Sequence, residues 1–248
     1  MILRQFLHTE PVVAASYLVG CGGHGVAAVI DPVSAPSAYL DAARALGLRV
    51  VCVADTHAHA DHLSTGRDLA RAAGCDYLLH ASAPARFPFR RAEDGDTIAL
   101  GNVELQVLHT PGHTPEHLCL LVTDRTRGAD PWLLLTGHTL MVGDVGRVEL
   151  ASDLDTGAAA LHDSLARLLT LPDHLLIYPG AFSGSVCGRG LSGHPVSTLG
   201  FERRYNPGLR PRTRAEFVAF LREDVPPRPE NADAIRASNL GWAQRAAG

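Results

Sequence analysis

Seven residues, Thr56-His57-Ala58-His59-Ala60-Asp61-His62, gather more metal-binding side chains than any other stretch of the chain. In extended backbone, side chains two apart point the same way, so His57, His59 and Asp61 can converge on one point. His62 opens a helical pattern, with Leu63, Leu69, Ala70 and Ala73, that would aim its ring back at the same place. Imidazole and carboxylate at this spacing suit zinc, iron or manganese; calcium would want more oxygen ligands. The alternative is a His-rich solvated turn, but the small alanines between the ligands leave an ion room to approach.

A second cluster is Thr110-Pro111-Gly112-His113-Thr114-Pro115-Glu116-His117. Pro111 and Gly112 make a tight turn that would present His113 at a sheet edge, as one further imidazole ligand. His109 and His117 read as hydrogen-bonded strand-end or core residues. His80, His162, His174 and His194 carry no motif.

The elements that must position these residues are legible as an alternation of strands and helices. The apolar run Val50–Ala54 is a strand, and the histidine stretch is the loop at its C-terminal end, where α/β folds usually keep their chemistry. Before it, residues 15–21 and 27–31 read as two antiparallel strands, and residues 37–46 have a helical period ended by Gly47. A helix over residues 62–73 follows, then strands over 77–80, 97–100, 103–109, 118–123 and 132–136. Helices are expected over 158–169 and 214–221, with a last one between 231 and 242. Such a plan suggests two sheets face to face with helices outside.

The chain has 248 residues, 46% of them hydrophobic, and no linker-like segment, so one domain spanning residues 1–248 is expected. Residues from about 200 to 248 read as its C-terminal helical extension. A net charge of -4 without a basic run implies no nucleic-acid or membrane-surface partner. No run reaches membrane-spanning length, and the N-terminus lacks the apolar core of a signal peptide. Five scattered cysteines without a CxxC argue for reduced thiols and a cytoplasmic location. The oligomeric state stays open, a homodimer included.

With its HxHxDH signature at residues 57–62 and Pro111-Gly112-His113-Thr114 after it, the sequence resembles the metallo-β-lactamase superfamily. Within it the chain is most similar to the persulfide dioxygenase and glyoxalase II branch, through Asp55–His62, Thr110–His117 and Val142-Gly143-Asp144-Val145-Gly146-Arg147. The stretches Tyr178–Gly188 and Thr198–Pro207 resemble bacterial dioxygenases of that branch. The resemblance implies an α/β fold, an αββα sandwich of two mixed β-sheets with helices on the outer faces and the metal site along one edge.

Two positions depart from the family pattern. Where the resemblance implies Thr-Gly-Asp with a ligating carboxylate, this chain has Thr136-Gly137-His138; where it implies a final Pro-Gly-His, the chain has Pro179-Gly180-Ala181. Asp144 is a weak substitute, because relatives carry that segment in addition to their ligand. A second metal would keep only Asp61 and His62, too few protein ligands, so a single transition-metal ion is expected. Carried over from the dioxygenases, an iron(II) site would use His57, His113 and His138, three imidazoles with open positions beside them. The zinc alternative uses His57, His59 and His113, with Asp61 as the catalytic residue orienting water. In either case His138 could instead turn away to a backbone carbonyl.

Arg147 is a candidate for binding a substrate carboxylate, with a structural ion pair as its alternative. Cys187, in the segment of the lost ligand, could lie near the site for that reason, with a plain buried thiol as the favoured reading. The favoured function is an enzyme, a mononuclear iron dioxygenase acting on a small sulfur-containing substrate, a persulfide or thiol. A zinc thioester hydrolase and a non-catalytic binding protein are the alternatives.

Overall fold

The structure is a computed structural model that describes residues 1–211 and 213–242. The first half of the chain supplies β1 (Ile2–His8), β2 (Ala14–Cys21), β3 (Val26–Ile30), β4 (Arg49–Ala54), β5 (Asp76–His80) and β6 (Arg90–Ala92). These lie side by side in that order as a six-stranded sheet. The pairs β1–β2 and β2–β3 are antiparallel, whereas β3 to β6 are parallel. Two helices, α1 (Pro36–Ala45) and α2 (Gly66–Ala73), make the crossovers into β4 and β5.

A second six-stranded sheet contains β7 (Thr97–Leu100), β8 (Val103–His109), β9 (Leu118–Asp124), β10 (Leu133–Gly137), β11 (Leu176–Pro179) and β12 (Ser197–Thr198). It too is mixed, its parallel pair being β10 and β11. The helix α3 (Leu154–Leu168) links those two strands, and α4 (Leu199–Tyr205), α5 (Arg214–Glu223) and α6 (Ala232–Asn239) complete the described chain.

Strand periodicity explains how the layers stack. In β9, Leu118, Leu120 and Val122 enter the core between the sheets, while Cys119 and Leu121 face the other way toward α3 and α5. In β4, Cys52 and Ala54 point inward and Val53 outward, where Tyr39 of α1 and Leu69 of α2 cover it. Both central strands are covered on two faces along Val50–Ala54 and Leu118–Val122, which is why those runs are apolar without interruption. The result is the expected αββα sandwich, with no helix among the described residues long and apolar enough to cross a membrane.

Several elements differ from the sequence expectation. The α2 helix begins at Gly66 and not at His62, because residues 58–65 are held by tertiary bonds: Asn239 Nδ2 donates to the carbonyls of His59 and His62, and Thr65 N–H donates to Pro32 O. The strands β1, β6, β11 and β12 are not legible in the sequence. The first of them carries Arg4 and Gln5 among its apolar residues, which blurs the alternation, and the other three are short.

The sheets meet at one edge through the loops that carry the histidines. Leu118 N–H donates to Thr56 O at 2.8 Å, joining the start of β9 to the loop after β4. Behind the second histidine loop, α3 comes so close that a Cβ on Gly112 would stand 2.5 Å from Leu161 Cα. Gly112 also has φ +147°, where an L side chain is strained. Gly112→Ala is therefore expected to destabilise the protein by at least about 1–3 kcal/mol in urea unfolding. It should also weaken metal retention by displacing His113; an unchanged midpoint would show that α3 is free to back away.

Candidate metal centre

Each histidine of the first loop is oriented by its other ring nitrogen. At the end of β3, the Asp31 carboxylate accepts from Thr56 N–H at 2.6 Å and from Thr56 Oγ1–H at 2.9 Å. Thr56 Oγ1 in turn accepts from His57 Nδ1–H at 2.9 Å, leaving His57 Nε2 buried and without a partner. Asp31 also accepts from His59 Nε2–H at 3.2 Å, so His59 presents Nδ1 instead. Asp31 had no motif to flag it; its backbone, with φ +50°, lies in the left-handed region, a strain common where function fixes a side chain.

His62 Nδ1–H donates to Asp61 Oδ1 at 3.1 Å, leaving His62 Nε2 and Asp61 Oδ2 buried and unpartnered. The donor atoms of His59, Asp61 and His62 lie within 4.8 Å of one another. Burial opposes charging of Asp61, but the His62 charge and the nearby imidazoles outweigh it and hold the carboxyl well below its ordinary range. For His59, burial is likewise outweighed by the hydrogen bond to Asp31 and the surrounding carboxylates, which raise its pKa well above the usual value.

The second loop delivers His113, whose Nδ1–H donates to Arg147 O at 2.6 Å. This approach depends on Gly146, where a Cβ would fall on His138 O and 3.3 Å from His113 Nδ1. His138 follows β10 directly and turns its ring inward: its Nδ1 stands 3.2 Å from His113 Nε2. Two imidazole nitrogens sustain such an approach by sharing a proton or a cation. Donor atoms of His57, His113 and His138 lie within 4.8 Å of one another, and all three rings are buried. Burial, followed by the neighbouring imidazoles, pushes His57 and His113 well below the ordinary histidine value, and burial brings His138 to about 4. Neutral rings with inward-facing nitrogens are what a metal ion requires.

The remaining residues of the motifs are engaged elsewhere. His117 Nε2 accepts from His138 N–H at 3.0 Å and its Nδ1 lies 3.0 Å from the hydroxyls of Thr110 and Thr139, so it shapes the turn before His138. His109 stacks on His80 at 3.7 Å between ring centroids. Asp144 is paired with Arg189 at 2.8 Å. Arg147, a candidate for substrate binding, has its guanidinium on Glu149, Val186 O, Pro226 O and Pro227 O, with only 4% of the residue exposed. Ala181 is buried and offers no ligand atom. Cys187 is buried as expected, but beside the site: its sulfur, an Asp61 oxygen and a His138 nitrogen lie within 4.8 Å of one another. Burial and then the Asp61 charge keep this thiol well above its ordinary pKa.

The sequence model of the metallo-beta-lactamase superfamily matches residues 9–180. The chain belongs to that superfamily. It is 32% identical to a hydroxyacylglutathione hydrolase of Polaromonas sp., over 88% of this chain and 89% of that one. It is also 32% identical to the human mitochondrial persulfide dioxygenase ETHE1, over 97% of this chain and 88% of that one. The structure is similar to that of ETHE1 from Myxococcus xanthus, with a TM-score of 0.83 and 30% identity, covering 98% of this chain and all of the other (100%). Metallo-beta-lactamase folds bind metal ions, and the orphaned buried atoms of His57, His59, Asp61 and His62 fit that use.

In this member of the superfamily the histidine loop is clamped by the last described helix. Arg236 of α6 donates to both Glu116 oxygens, at 2.9 and 3.0 Å, and to Ala58 O at 2.7 Å, while Ala58 N–H donates to Glu116 Oε1. Burial alone would raise the Glu116 carboxyl, but the Arg236 bonds and charge hold it below its ordinary value. Arg236→Ala strands a buried carboxylate and is expected to cost about 3–5 kcal/mol in urea unfolding at neutral pH. Arg236→Lys restores the charge without the two-pronged bond and should recover only part. Because the Glu116 pKa is depressed on folding, its contribution is present above the unfolded value and lost as pH falls through the folded one, so the Ala penalty should shrink below about pH 4. A penalty that is pH-independent or below about 1 kcal/mol would show that the pair is not a clamp.

Proposed function

We propose that this protein is an iron(II)-dependent dioxygenase of a small persulfide or thiol, with His57, His113 and His138 holding the ion. The observation that carries this reading is the gathering of those three donors within 4.8 Å, with the imidazole of His138, where the family resemblance implies a carboxylate, standing against His113. Similarity to persulfide dioxygenases along 97% of the chain supports the substrate class.

Iron(II), when bound, supplies the redox chemistry that joins oxygen to sulfur. The chain supplies the rest. Three neutral imidazoles bring no negative charge to the ion, which favours an anionic sulfur substrate over a neutral one. The bonds from His57 to Thr56 and from His113 to Arg147 O fix ring orientation. Burial of all three rings keeps them unprotonated through neutral pH. For a persulfide the balance is RSSH, oxygen and water giving RSH, sulfite and two protons.

A thioester hydrolase is the second reading, favoured by the free atoms of His59 and Asp61 and by similarity to a hydroxyacylglutathione hydrolase. It would place zinc on His57, His59 and His113, with Asp61 orienting the attacking water.

Iron(II)-reconstituted protein is expected to consume oxygen with a small-molecule persulfide and release sulfite, and zinc-loaded protein to be inactive in that assay. Under the hydrolase reading, zinc-loaded protein would cleave thioesters without oxygen, and Asp61→Ala would slow it by about 10²–10⁴-fold. Oxygen uptake that survives His113→Ala would remove the assigned site. A second outcome concerns His138: its change to Ala should strip iron during dialysis against a chelator, and unchanged iron content would exclude it as a ligand.

A further inference from the structure

At the end of the sandwich remote from the histidine loop, the turn between β2 and β3 sets a thiol against an imidazole. Cys21 ends β2 and pairs with Val26, whereas the histidine loop follows Ala54, the partner of Ile30 at the other end of β3. Within the turn His24 folds back, so that its Nδ1 stands 3.3 Å from Cys21 Sγ, in hydrogen-bond range for sulfur. The ring is seated by the other sheet. Gly101, in the turn between β7 and β8 with φ +64°, lies so close to it that a Cβ there would fall on the imidazole.

Among the described residues Cys21 is the one cysteine hydrogen-bonded to an imidazole. Burial opposes its ionisation, yet hydrogen bonds from Asn102 and His24 and the charge of the imidazole outweigh it and hold the thiol below its ordinary pKa. The other four go the opposite way: burial pushes Cys52 and Cys119 up to about 12 and raises Cys75 and Cys187. A thiol with a base in hydrogen-bond reach is the arrangement that yields a thiolate nucleophile. Only 4% of Cys21 is exposed, but its cover is the turn itself, in which Gly22, Gly23 and His24 are all exposed and a Cβ on Gly23 would meet nothing within 4 Å.

We propose that Cys21 and His24 form a nucleophilic dyad that takes a small disulfide as a mixed disulfide on Cys21, reached by an outward turn of the exposed His24 ring. In this exchange the Cys21 sulfur attacks one sulfur of the disulfide. The new S–S bond forms as the old one breaks, and the other half leaves as a thiolate. The thiol proton passes to His24 Nδ1 and from there to solvent; Cys21 is oxidised and the departing half reduced, so no further oxidant is needed. The dyad goes beyond the dioxygenase reading and does not depend on it, because none of its residues belongs to the metal centre.

The test is the reaction of folded full-length protein with excess dithionitrobenzoate at pH 7 without oxygen, following release of the coloured thiolate and locating the labelled thiol by peptide mass spectrometry. One thiol should react ahead of the other four and map to Cys21, and Cys21→Ser should lose that fast phase. His24→Ala should slow it by about tenfold, one decade of thiolate, and His24→Gln, which keeps a side chain over the sulfur but no base, should be as slow. First reaction at Cys75, the other thiol that is not fully buried, or at any other cysteine overturns the proposal. So does a rate that either His24 variant leaves unchanged or raises. Should Cys21→Ser not fold, the mapping on wild type and the two His24 rates decide, since His24 is exposed and its replacement leaves the core intact.

Discussion

A single buried carboxylate sets the geometry of the histidine loop. Asp31 ends the third strand, accepts from the backbone and hydroxyl of Thr56 on the neighbouring strand's loop, and accepts from the far nitrogen of His59. Through Thr56 it also determines which nitrogen His57 presents. One group therefore selects the tautomers of two candidate ligands that present different atoms, Nε2 from His57 and Nδ1 from His59. Second-layer bonds of this kind commonly govern metal affinity as strongly as the ligands themselves. The left-handed backbone of Asp31 is a local strain that the parallel pairing of β3 with β4 holds in place.

The rest of the fold holds that geometry from outside. Arg236 and Asn239 of the last described helix bind the carbonyls of Ala58, His59 and His62, so the loop is pinned on the side away from the sheets. On the opposite side, α3 presses against the turn at Gly112, and Ser164 Oγ–H donates to Pro111 O at 2.7 Å. The Gly143–Arg147 segment packs against the His138 carbonyl and beside His113 Nδ1 only because Gly146 has no side chain. Its arginine serves this centre through its backbone and through the loop it secures, with its guanidinium turned away to Glu149 and three carbonyls.

The legible parts of this protein are those written locally. The HxHxDH loop, the Pro-Gly-His turn, the layer order and the burial of Cys187 follow from spacings of a few residues, and the family resemblance rests on the same stretches. What escaped is long-range. Glu116 lies inside a motif already singled out, yet its partner is 120 residues away, and Asn239 reaches His59 across 180. Glu116 carried one signal that could have been used, a carboxylate within a stretch that folds into the interior, where it must find a cation. For Cys187 the signal is partial: its segment contains the lost ligand position, which points toward the centre, but its place beside Asp61 and His138 depends on the course of an irregular loop.

His138, an imidazole where the family resemblance implies a carboxylate, is proposed to complete an iron site with His57 and His113. Anomalous diffraction from crystals grown with iron(II) tests it directly. The account predicts an iron peak within bonding distance of His57 Nε2, His113 Nε2 and a ring nitrogen of His138. An ion held by His57, His59 and His113 with the His138 ring rotated away would contradict it.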